Sequence, residues 1–383
     1  MIATWSGIAT TNRAKAADNV VLLVPGIKLD AVAPIDIQST YGAMISKLTR
    51  GGRQFGGVIW ATHLRDREYN GDVFLVEFSA EANANDHIPR AIQLSHVLKH
   101  VHDKTGRRID LVCHSAGGLV SRVVLQGASP KAPDSGCVDR CITIGTPHLG
   151  SALAANFGKA IGKQAECLSI YDPLIKRLNT ELPLNPRVEF ASIITRTIGV
   201  AVREPGLAYK ECMTGTRFEC VKECLSQNFS HGSDQVVHVL SQNLRNSPVA
   251  EAYEKKTGKP IHAIVARVPY PGNLEWAKLI DNAHSTALKD PMVLAWVYRL
   301  LSDDGGFWKG KNTNTTRLMN WEARYAAFGL IEGHAYAEHG LREVHLLGVE
   351  QFTVLEPPSL LGSGRFHYAG TARWIEAKTG VKK

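Results

Sequence analysis

The sequence predicts an α/β fold in which a mostly parallel central sheet carries helices on both faces. The first observation is a continuous apolar run over residues 19–24, closed by Pro25-Gly26, because strands buried on both faces are typical of parallel sheets. The second is the alternation of such runs with segments of helical periodicity. The third is an abrupt strand–turn–helix pattern over residues 109–126, with a serine in the turn.

The remaining elements follow from apolar runs and helical spacing. A helix over residues 86–104 shows one apolar face and has Gly106 as its C-cap. Another helix follows the serine turn, and residues 291–301 form the last one. After the first strand, strands are predicted at residues 72–78, 109–112, 141–144, 188–194 and 260–266.

Two insertions and a tail interrupt or extend this pattern. Residues 151–186 are helical in pattern and are predicted to form a helical cover at the C-terminal edge of the sheet. This segment is short for a large mobile lid, so we expect a fixed or partly fixed cover, with a mobile lid as the alternative. A second insertion, residues 200–232, contains three cysteines. Residues 303–383 are predicted to be a small appendage without an assigned role, with short strands near residues 343–349 and 351–355.

Composition and charge exclude several classes of protein. The 383 residues include 44 Lys and Arg against 36 Asp and Glu, a formal net charge of +8. The basic residues are scattered and not interleaved with aromatic residues, so nucleic-acid binding is not predicted. No apolar run reaches the ~20 residues that a membrane-spanning helix needs. The N-terminus lacks the basic start and apolar block of a signal peptide, so we expect a cytoplasmic protein or one exported without a cleaved signal.

The seven cysteines do not form a recognisable metal motif. The spacing of Cys212, Cys220 and Cys224 does not fit a paired zinc site, and neither a metal nor a cofactor is predicted. Disulfides and free thiols remain open for the six cysteines outside the serine turn, which are Cys137, Cys141, Cys167, Cys212, Cys220 and Cys224.

Ser115 is the candidate nucleophile. It follows the strand at residues 109–112 and precedes an amphipathic stretch, so it occupies a sharp turn that directs its Oγ away from the sheet edge. Gly117 and Cys113, two residues after and before the serine, are small enough for such a turn. The alternative is a serine that only caps the following helix.

A serine nucleophile needs a base and an acid that orients the base, in the chain order Ser, acid, His. His284 is the candidate base because it lies in a polar loop between the last strand and the last helix. Asp234 is the candidate acid because it occupies a turn between the serine and the histidine. Asp281 is the second choice, since three residues from the base is too close for the usual geometry. An Asx-turn is the structural alternative for Asp234, and an exposed loop histidine is the alternative for His284.

Acyl transfer also needs two backbone N–H donors for the oxyanion. The N–H of Ala116, directly after the nucleophile, is one candidate. The N–H of Ile27 is the other, because Gly26 lets the backbone turn after the first strand and presents this donor.

Together these segments resemble the α/β-hydrolase lipases, in particular bacterial triacylglycerol lipases and the inositol-deacylase-like and lecithin-acyltransferase-like hydrolases. The resemblance covers about residues 18–302 and implies an α/β-hydrolase catalytic domain over residues 1–302. The chain departs from the pattern at Cys113, where Gly is usual, and at Pro25, where His commonly precedes the oxyanion Gly. The segments that carry the resemblance are Pro25-Gly-Ile27, Cys113-His-Ser-Ala-Gly-Gly118, Gly145-Thr-Pro-His-Leu-Gly-Ser151, Asp172-Pro-Leu-Ile-Lys-Arg-Leu-Asn179, Ser233-Asp-Gln-Val-Val237 and Ala283-His-Ser-Thr-Ala-Leu288.

The expected function is hydrolysis of carboxylic esters by a serine hydrolase of the lipase or carboxylesterase type, through an acyl-enzyme. Its expected partner is an ester or lipid substrate, with no nucleic acid. One alternative is a phospholipase or acyltransferase that contacts a membrane or lipid droplet. Another is a catalytically silent binding protein of the same fold, which is disfavoured because the Ser, Asp and His are all present.

Overall fold

A nine-stranded sheet and a separate hairpin organise the chain in the computed structural model. The structure describes residues 19–28, 33–64, 68–134, 136–198, 234, 236–269 and 283–302, and four strands between residues 343 and 375. The strands are β1 Val20–Val24, β2 Phe55–Trp60, β3 Val73–Glu77, β4 Ile109–His114, β5 Val138–Ile144, β6 Glu189–Ile198, β7 His262–Pro269, β8 Glu343–Leu346, β9 Gln351–Glu356, β10 Arg365–Ala369 and β11 Ala372–Ile375.

Seven strands of the large sheet run parallel, in the order β2-β3-β1-β4-β5-β6-β7. At the β7 edge, β8 pairs antiparallel with β7 and β11 pairs antiparallel with β8, while β9 and β10 form the hairpin. The buried strand β1 lies between β3 and β4, with Leu22 opposite Leu111 of β4. The predicted α/β fold with a mostly parallel sheet is therefore confirmed.

Helices cover both faces of the sheet, because alternate strand residues enter two separate cores. The helices are α1 Ile37–Thr40, α2 Gly42–Arg50, α3 Ala80–Ala84, α4 His87–Thr105, α5 Ala116–Leu125, α6 Ala152–Ile161, α7 Lys163–Glu166, α8 Pro173–Thr180, α9 Val239–Gln242, α10 Pro248–Thr257, α11 Ala283–Thr286 and α12 Pro291–Ser302. One core packs α4, α5, α8 and α10 against β1 residues such as Leu22, and the other packs α2 and α12 against residues such as Leu23.

The edge strand β2 was not predicted from the sequence. Its residues are mostly half-buried, and it begins Phe55-Gly-Gly57, so it lacks the continuous apolar run that identifies β1. Gly56 is required there because a Cβ would collide with the ring of Phe74 on β3. Two predicted tail strands are present as β8 and β9, and the domain boundary at residue 302 stays a prediction.

The predicted cover segment is helical and contains α6, α7 and α8. The end of α8 is bonded to the helix that follows the serine: Arg122 Nη2 donates to Leu178 O at 2.6 Å, and Gln126 Nε2 donates to the same oxygen at 2.9 Å. Asn179 of α8 donates from Nδ2 to His148 O at 2.7 Å. Because these side chains are buried, this end of the cover segment is held against the core.

Cys113, Cys137, Cys141 and Cys167 are buried, and none of the four is joined in a disulfide. The 200–232 insertion, with its three cysteines, lies outside the described residues. Within the part of the chain that the structure describes, no helix is long and apolar enough to cross a bilayer.

Charged residues are buried at the edge of the sheet where the parallel strands begin. Asp110 of β4 is fully buried, accepts a hydrogen bond from Asn19 Nδ2 at 3.0 Å and lies 3.9 Å from the Arg140 guanidinium. Arg140 also donates to Leu300 O at the end of α12, where a cation is favoured by the helix dipole. Burial raises the pKa of Asp110 to about 6, although Arg140 and Asn19 partly offset this effect.

This pKa predicts how the stability of an Asp110→Asn variant depends on pH. Because the pKa is raised in the folded state, ionisation of Asp110 costs stability as the pH rises from about 4 through 6, by roughly 3 kcal/mol in all. Asparagine does not ionise, so the free energy of unfolding of the variant should increase relative to wild type between pH 4 and pH 8 in urea titrations. Exposed Asp103, whose pKa is lowered beside Lys99, is the control, and Asp103→Asn should show no such increase. If the difference in free energy of unfolding between Asp110→Asn and wild type did not change with pH, this account would be wrong.

Candidate active site

Ser115 lies in a strained turn between β4 and α5. Its φ of 53° makes it the sole non-glycine residue with positive φ in the described ranges. Such a conformation costs of order 1–3 kcal/mol and needs support from the surrounding structure. Three hydrogen bonds supply it: Ser115 N–H donates to Ile144 O at 2.9 Å, and Ser115 O accepts from Thr146 Oγ1 at 2.8 Å and from Gly118 N–H at 3.1 Å.

Close packing around this turn requires glycine at neighbouring positions. A Cβ on Gly117 would collide with the carbonyl oxygens of Val24 and Pro25, so only glycine lets α5 start against the end of β1. A Cβ on Gly26 would come within 2.7 Å of Ser115 Cβ and 3.2 Å of its Oγ. The Gly26 backbone therefore lies directly beside the serine side chain.

Cys113 fits the turn although glycine is usual there. Its side chain is fully buried in the core on the α5 side, and its Sγ lies 3.1 Å from Ser121 Oγ of α5. Ser121 Oγ also donates to Gly117 O at 2.9 Å. The thiol thus fills space between β4 and α5 and leaves the serine turn intact.

Asp234 is fully buried, and four donors besides His284 stabilise its carboxylate. Oδ1 accepts from the N–H groups of Val236 and Val237, at 3.1 and 2.8 Å. Oδ2 accepts from Thr195 Oγ1 at 2.6 Å and from Gln242 Nε2 at 3.2 Å. Burial alone would raise the pKa of Asp234, but the charge and hydrogen bond of His284, with the Thr195 and Val237 donors, lower it below its ordinary value.

His284 lies on α11 and is oriented by this carboxylate. Its Nδ1 is 2.7 Å from Asp234 Oδ2. Because an ionised carboxylate only accepts hydrogen bonds, Nδ1 carries the proton and the neutral ring has its lone pair on Nε2. That Nε2 is buried and has no hydrogen-bond partner among the described residues. His284 is therefore set up to accept a proton at Nε2.

Two neighbours place the histidine beside the serine turn. The ring of His114, the residue before Ser115, lies 4.8 Å from the His284 ring, and its Nε2–H donates to His284 O at 3.0 Å. Burial and the nearby His284 lower the pKa of His114 to about 3, so His114 is neutral at physiological pH. Gly145, with φ +60°, follows the strand β5, and a Cβ there would lie 3.1 Å from the His284 ring.

The two backbone donors predicted for an oxyanion belong to segments that adjoin Ser115. The N–H of Ala116 is in the first turn of α5, where backbone donors have no acceptor within the helix and the dipole favours negative charge. Ile27 directly follows Gly26, and its N–H has no acceptor among the described residues.

Three residues of this arrangement were missed in the sequence. Thr195 and Gln242 support the Asp234 carboxylate, and His114 holds the His284 backbone. Thr195 and Gln242 lie outside the segments that carry the resemblance, and the bond of His114 to the His284 backbone joins distant chain segments, so the sequence gives no sign of it. The alternative acid Asp281 lies outside the described residues. In the described segments, no group of three or more His, Cys, Asp or Glu side chains is arranged to hold a metal ion.

Comparisons with known proteins give a partial family match and several structural neighbours. A family model described as a domain of unknown function (DUF7379) matches residues 89–200. No curated protein matches the sequence.

The structural neighbours are distant in sequence. The lin2722 product of Listeria innocua has 14% identity and a TM-score of 0.44, with 74% of this chain and 94% of that chain covered. The phospholipase PlaB of Legionella pneumophila has 14% identity and a TM-score of 0.42, covering 92% and 68%. Lipase 1 of Pelosinus fermentans has 13% identity and a TM-score of 0.41, covering 74% and 98%. The order of the parallel strands, with a serine turn after β4 and helices on both faces, gives this chain an α/β-hydrolase fold.

The close approach of Gly145 to His284 makes Gly145→Ala a test of the geometry. Alanine at φ +60° costs about 1 kcal/mol of backbone strain, and its Cβ would also press on the imidazole ring. Gly258→Ala is a matched control, because Gly258 has φ +67° and no atom within 4 Å of a Cβ. We expect both variants to lose similar stability, but only Gly145→Ala to shift the imidazole ¹H–¹⁵N signals of His284. Unchanged His284 signals in folded Gly145→Ala would contradict the observed packing.

Proposed function

We propose that this protein is a serine-dependent carboxylic ester hydrolase, with Ser115 as nucleophile, His284 as general base and Asp234 as the acid that orients the base. The observation that carries the proposal is the 2.7 Å hydrogen bond between Asp234 and His284, on a histidine whose Nε2 has no partner among the described residues and whose ring packs against His114, the residue before Ser115. A serine hydroxyl is a weak nucleophile at neutral pH, and an adjacent neutral imidazole supplies the activation it needs.

In the proposed first half-reaction, Ser115 Oγ attacks the ester carbonyl carbon while His284 Nε2 takes the hydroxyl proton. The carbonyl oxygen becomes an oxyanion, and the N–H groups of Ile27 and Ala116 are the proposed donors to it. Asp234 stabilises the imidazolium that forms. The tetrahedral intermediate then collapses, the bond to the alcohol oxygen breaks, and His284 returns the proton to the leaving alkoxide.

In the second half-reaction, water takes the place of the alcohol. His284 Nε2 removes a proton from the water as its oxygen attacks the acyl-enzyme carbonyl. Collapse of the second tetrahedral intermediate releases the carboxylic acid, and the proton returns to Ser115 Oγ. The lowered pKa of Asp234 keeps this carboxylate ionised throughout, as the stabilisation of an imidazolium requires.

We also propose that the cover segment is fixed at its α8 end. Arg122 is fully buried, and burial lowers its pKa to about 9, so the guanidinium is charged at neutral pH. Moving α8 away would break the bonds from Arg122 Nη2 to Leu178 O and Asn179 Oδ1 and leave this end of a buried cation without an acceptor, which is strongly unfavourable. A cover held in this way favours a shaped acyl pocket over a lid that opens widely.

The nucleophile assignment predicts that Ser115→Ala abolishes both labelling by a fluorophosphonate and ester hydrolysis. We expect one label per wild-type chain and a loss of kcat of at least about 10³-fold in the variant, because the remaining residues stabilise the oxyanion but supply no nucleophile. Ser121→Ala is the control, since this serine lies on the same helix with its hydroxyl bonded to Gly117 O. Labelling on another serine, or full activity in Ser115→Ala, would refute the assignment.

The base and acid assignments predict non-additive losses. His284→Ala should reduce kcat by several orders of magnitude with the fold intact, and Asp234→Asn should cost as much or less, because the residues act as a unit. The double variant should lose little beyond His284→Ala alone. Steady-state kinetics on a p-nitrophenyl ester measures all three. If Asp281→Asn were more damaging than Asp234→Asn, Asp281 would be the acid.

A further inference from the structure

Arg90 of α4 is a fully buried arginine, and two of its hydrogen bonds go to the backbone beside Ser115. Its Nη2 donates to Pro25 O at 2.5 Å and to Gly26 O at 2.8 Å. Its Nη1 donates to Gln164 Oε1 of α7 at 3.1 Å, and the guanidinium lies 4.7 Å from the centre of the Phe78 ring. Arg90 thus joins the segment after β1 to the cover segment.

The bond to Gly26 O fixes the direction of the Ile27 N–H. These two groups belong to one peptide unit, and no cis peptide occurs in the described chain. In a trans peptide the C=O and N–H point in opposite directions. Because the Gly26 carbonyl points at Arg90, the Ile27 N–H points away from α4.

The position of this peptide matters because it adjoins the serine. The Gly26 backbone lies so close to Ser115 that even a Cβ would meet the Ser115 side chain. On the far side of Ile27, Lys28 Nζ lies 2.6 Å from the buried carboxylate of Glu77. The segment is therefore held at both ends, by Arg90 before Ile27 and by Glu77 after it.

We propose that Arg90 is a positioning residue that orients the Ile27 N–H toward the oxyanion, and that Gln164 fixes the Arg90 guanidinium for this task. The inference rests on the proposed function, since it assigns Arg90 a role only if Ser115 is the nucleophile. Arg90 has no hydrogen bond to Ser115 and would act through the peptide that joins Gly26 and Ile27.

The guanidinium keeps its charge in this buried place. Burial lowers the pKa of Arg90 to about 10, an effect opposed by Tyr41 and Glu77. Arg90 is therefore cationic at neutral pH, and its hydrogen bonds to carbonyl oxygens are of the stronger, charge-assisted kind. A methionine would fill the space without holding either carbonyl, and a lysine would keep the charge without the planar fork of donors.

The test compares Arg90→Met and Arg90→Lys with Arg140→Met in the full-length protein. Arg140 is a suitable control because it is also buried and donates to main-chain carbonyls, but at the opposite edge of the sheet. The measurements are kcat and KM on a p-nitrophenyl ester and the inhibition constant of a trifluoromethyl ketone with the same acyl chain. This ketone forms a hemiketal oxyanion on the serine, so its affinity reports on the oxyanion donors.

Loss of one oxyanion donor typically costs about 10²–10³-fold in kcat, so we expect Arg90→Met to lose about 10²-fold in kcat and in ketone affinity, with KM within about threefold. Arg90→Lys should show a smaller, parallel loss. Arg140→Met should keep its ketone affinity at any temperature at which it is folded, even though it is less stable.

Unchanged ketone affinity in a folded Arg90 variant would overturn the inference, and Arg90→Lys decides the matter if Arg90→Met does not fold. A loss confined to KM, or an equal loss of affinity in Arg140→Met, would also overturn it. If the wild-type protein is not labelled at Ser115 by a fluorophosphonate, the proposed function fails and this inference fails with it. If the wild-type protein is labelled at Ser115 and the ketone affinity of the Arg90 variants is unchanged, only the positioning role of Arg90 is refuted.

Discussion

The backbone conformation of Ser115 is the constraint on which the arrangement of the site depends. A residue at φ 53° is strained, and here the strain is offset by bonds to the next strand, from Ser115 N–H to Ile144 O and from Thr146 Oγ1 to Ser115 O. The same packing forbids a side chain at Gly117, where α5 meets the end of β1. The conformation of the turn therefore depends on contacts with both the sheet and α5. The segments after β1 and β5 pack directly against it.

Buried charges fix the segments that surround this turn. The Asp234 carboxylate holds His284 from one side and is itself held by Thr195, Gln242 and two backbone N–H groups. Arg90 holds the segment after β1, and Arg122 holds α8. A buried charge is costly without acceptors or donors, so each of these groups strongly disfavours displacement of its partners. These charged groups are buried away from solvent, so water cannot replace the hydrogen bonds that hold the site together.

Sequence reasoning succeeds where a pattern is local. The run that forms β1 is apolar at every position, and Ser115 is flanked by a strand and a helix that each have their own periodicity. His284 and Asp234 follow from the chain order that such a serine requires, and the structure brings these two side chains together. The close approaches of Gly26 and Gly145 explain glycines that the sequence marks only as turns.

The strand and the site residues that the sequence does not predict depend on contacts between distant segments of the chain. β2 was missed because an edge strand with two glycines lacks a clear apolar pattern. The roles of Thr195, Gln242, His114 and Arg90 were missed because a polar residue in a strand or helix carries no local sign of a partner in a distant segment. Arg90 shows this most clearly, since an arginine on an amphipathic helix normally faces solvent, whereas here it is fully buried.

The most direct measurement is a crystal structure of the protein after reaction with a p-nitrophenyl alkylphosphonate, whose adduct resembles the tetrahedral intermediate. The account predicts phosphorus bonded to Ser115 Oγ. It also predicts the phosphoryl oxygen about 2.7–3.1 Å from the N–H groups of both Ile27 and Ala116, with His284 Nε2 facing the esterified oxygen. An adduct on another residue, or a phosphoryl oxygen bonded to neither N–H group, would contradict it.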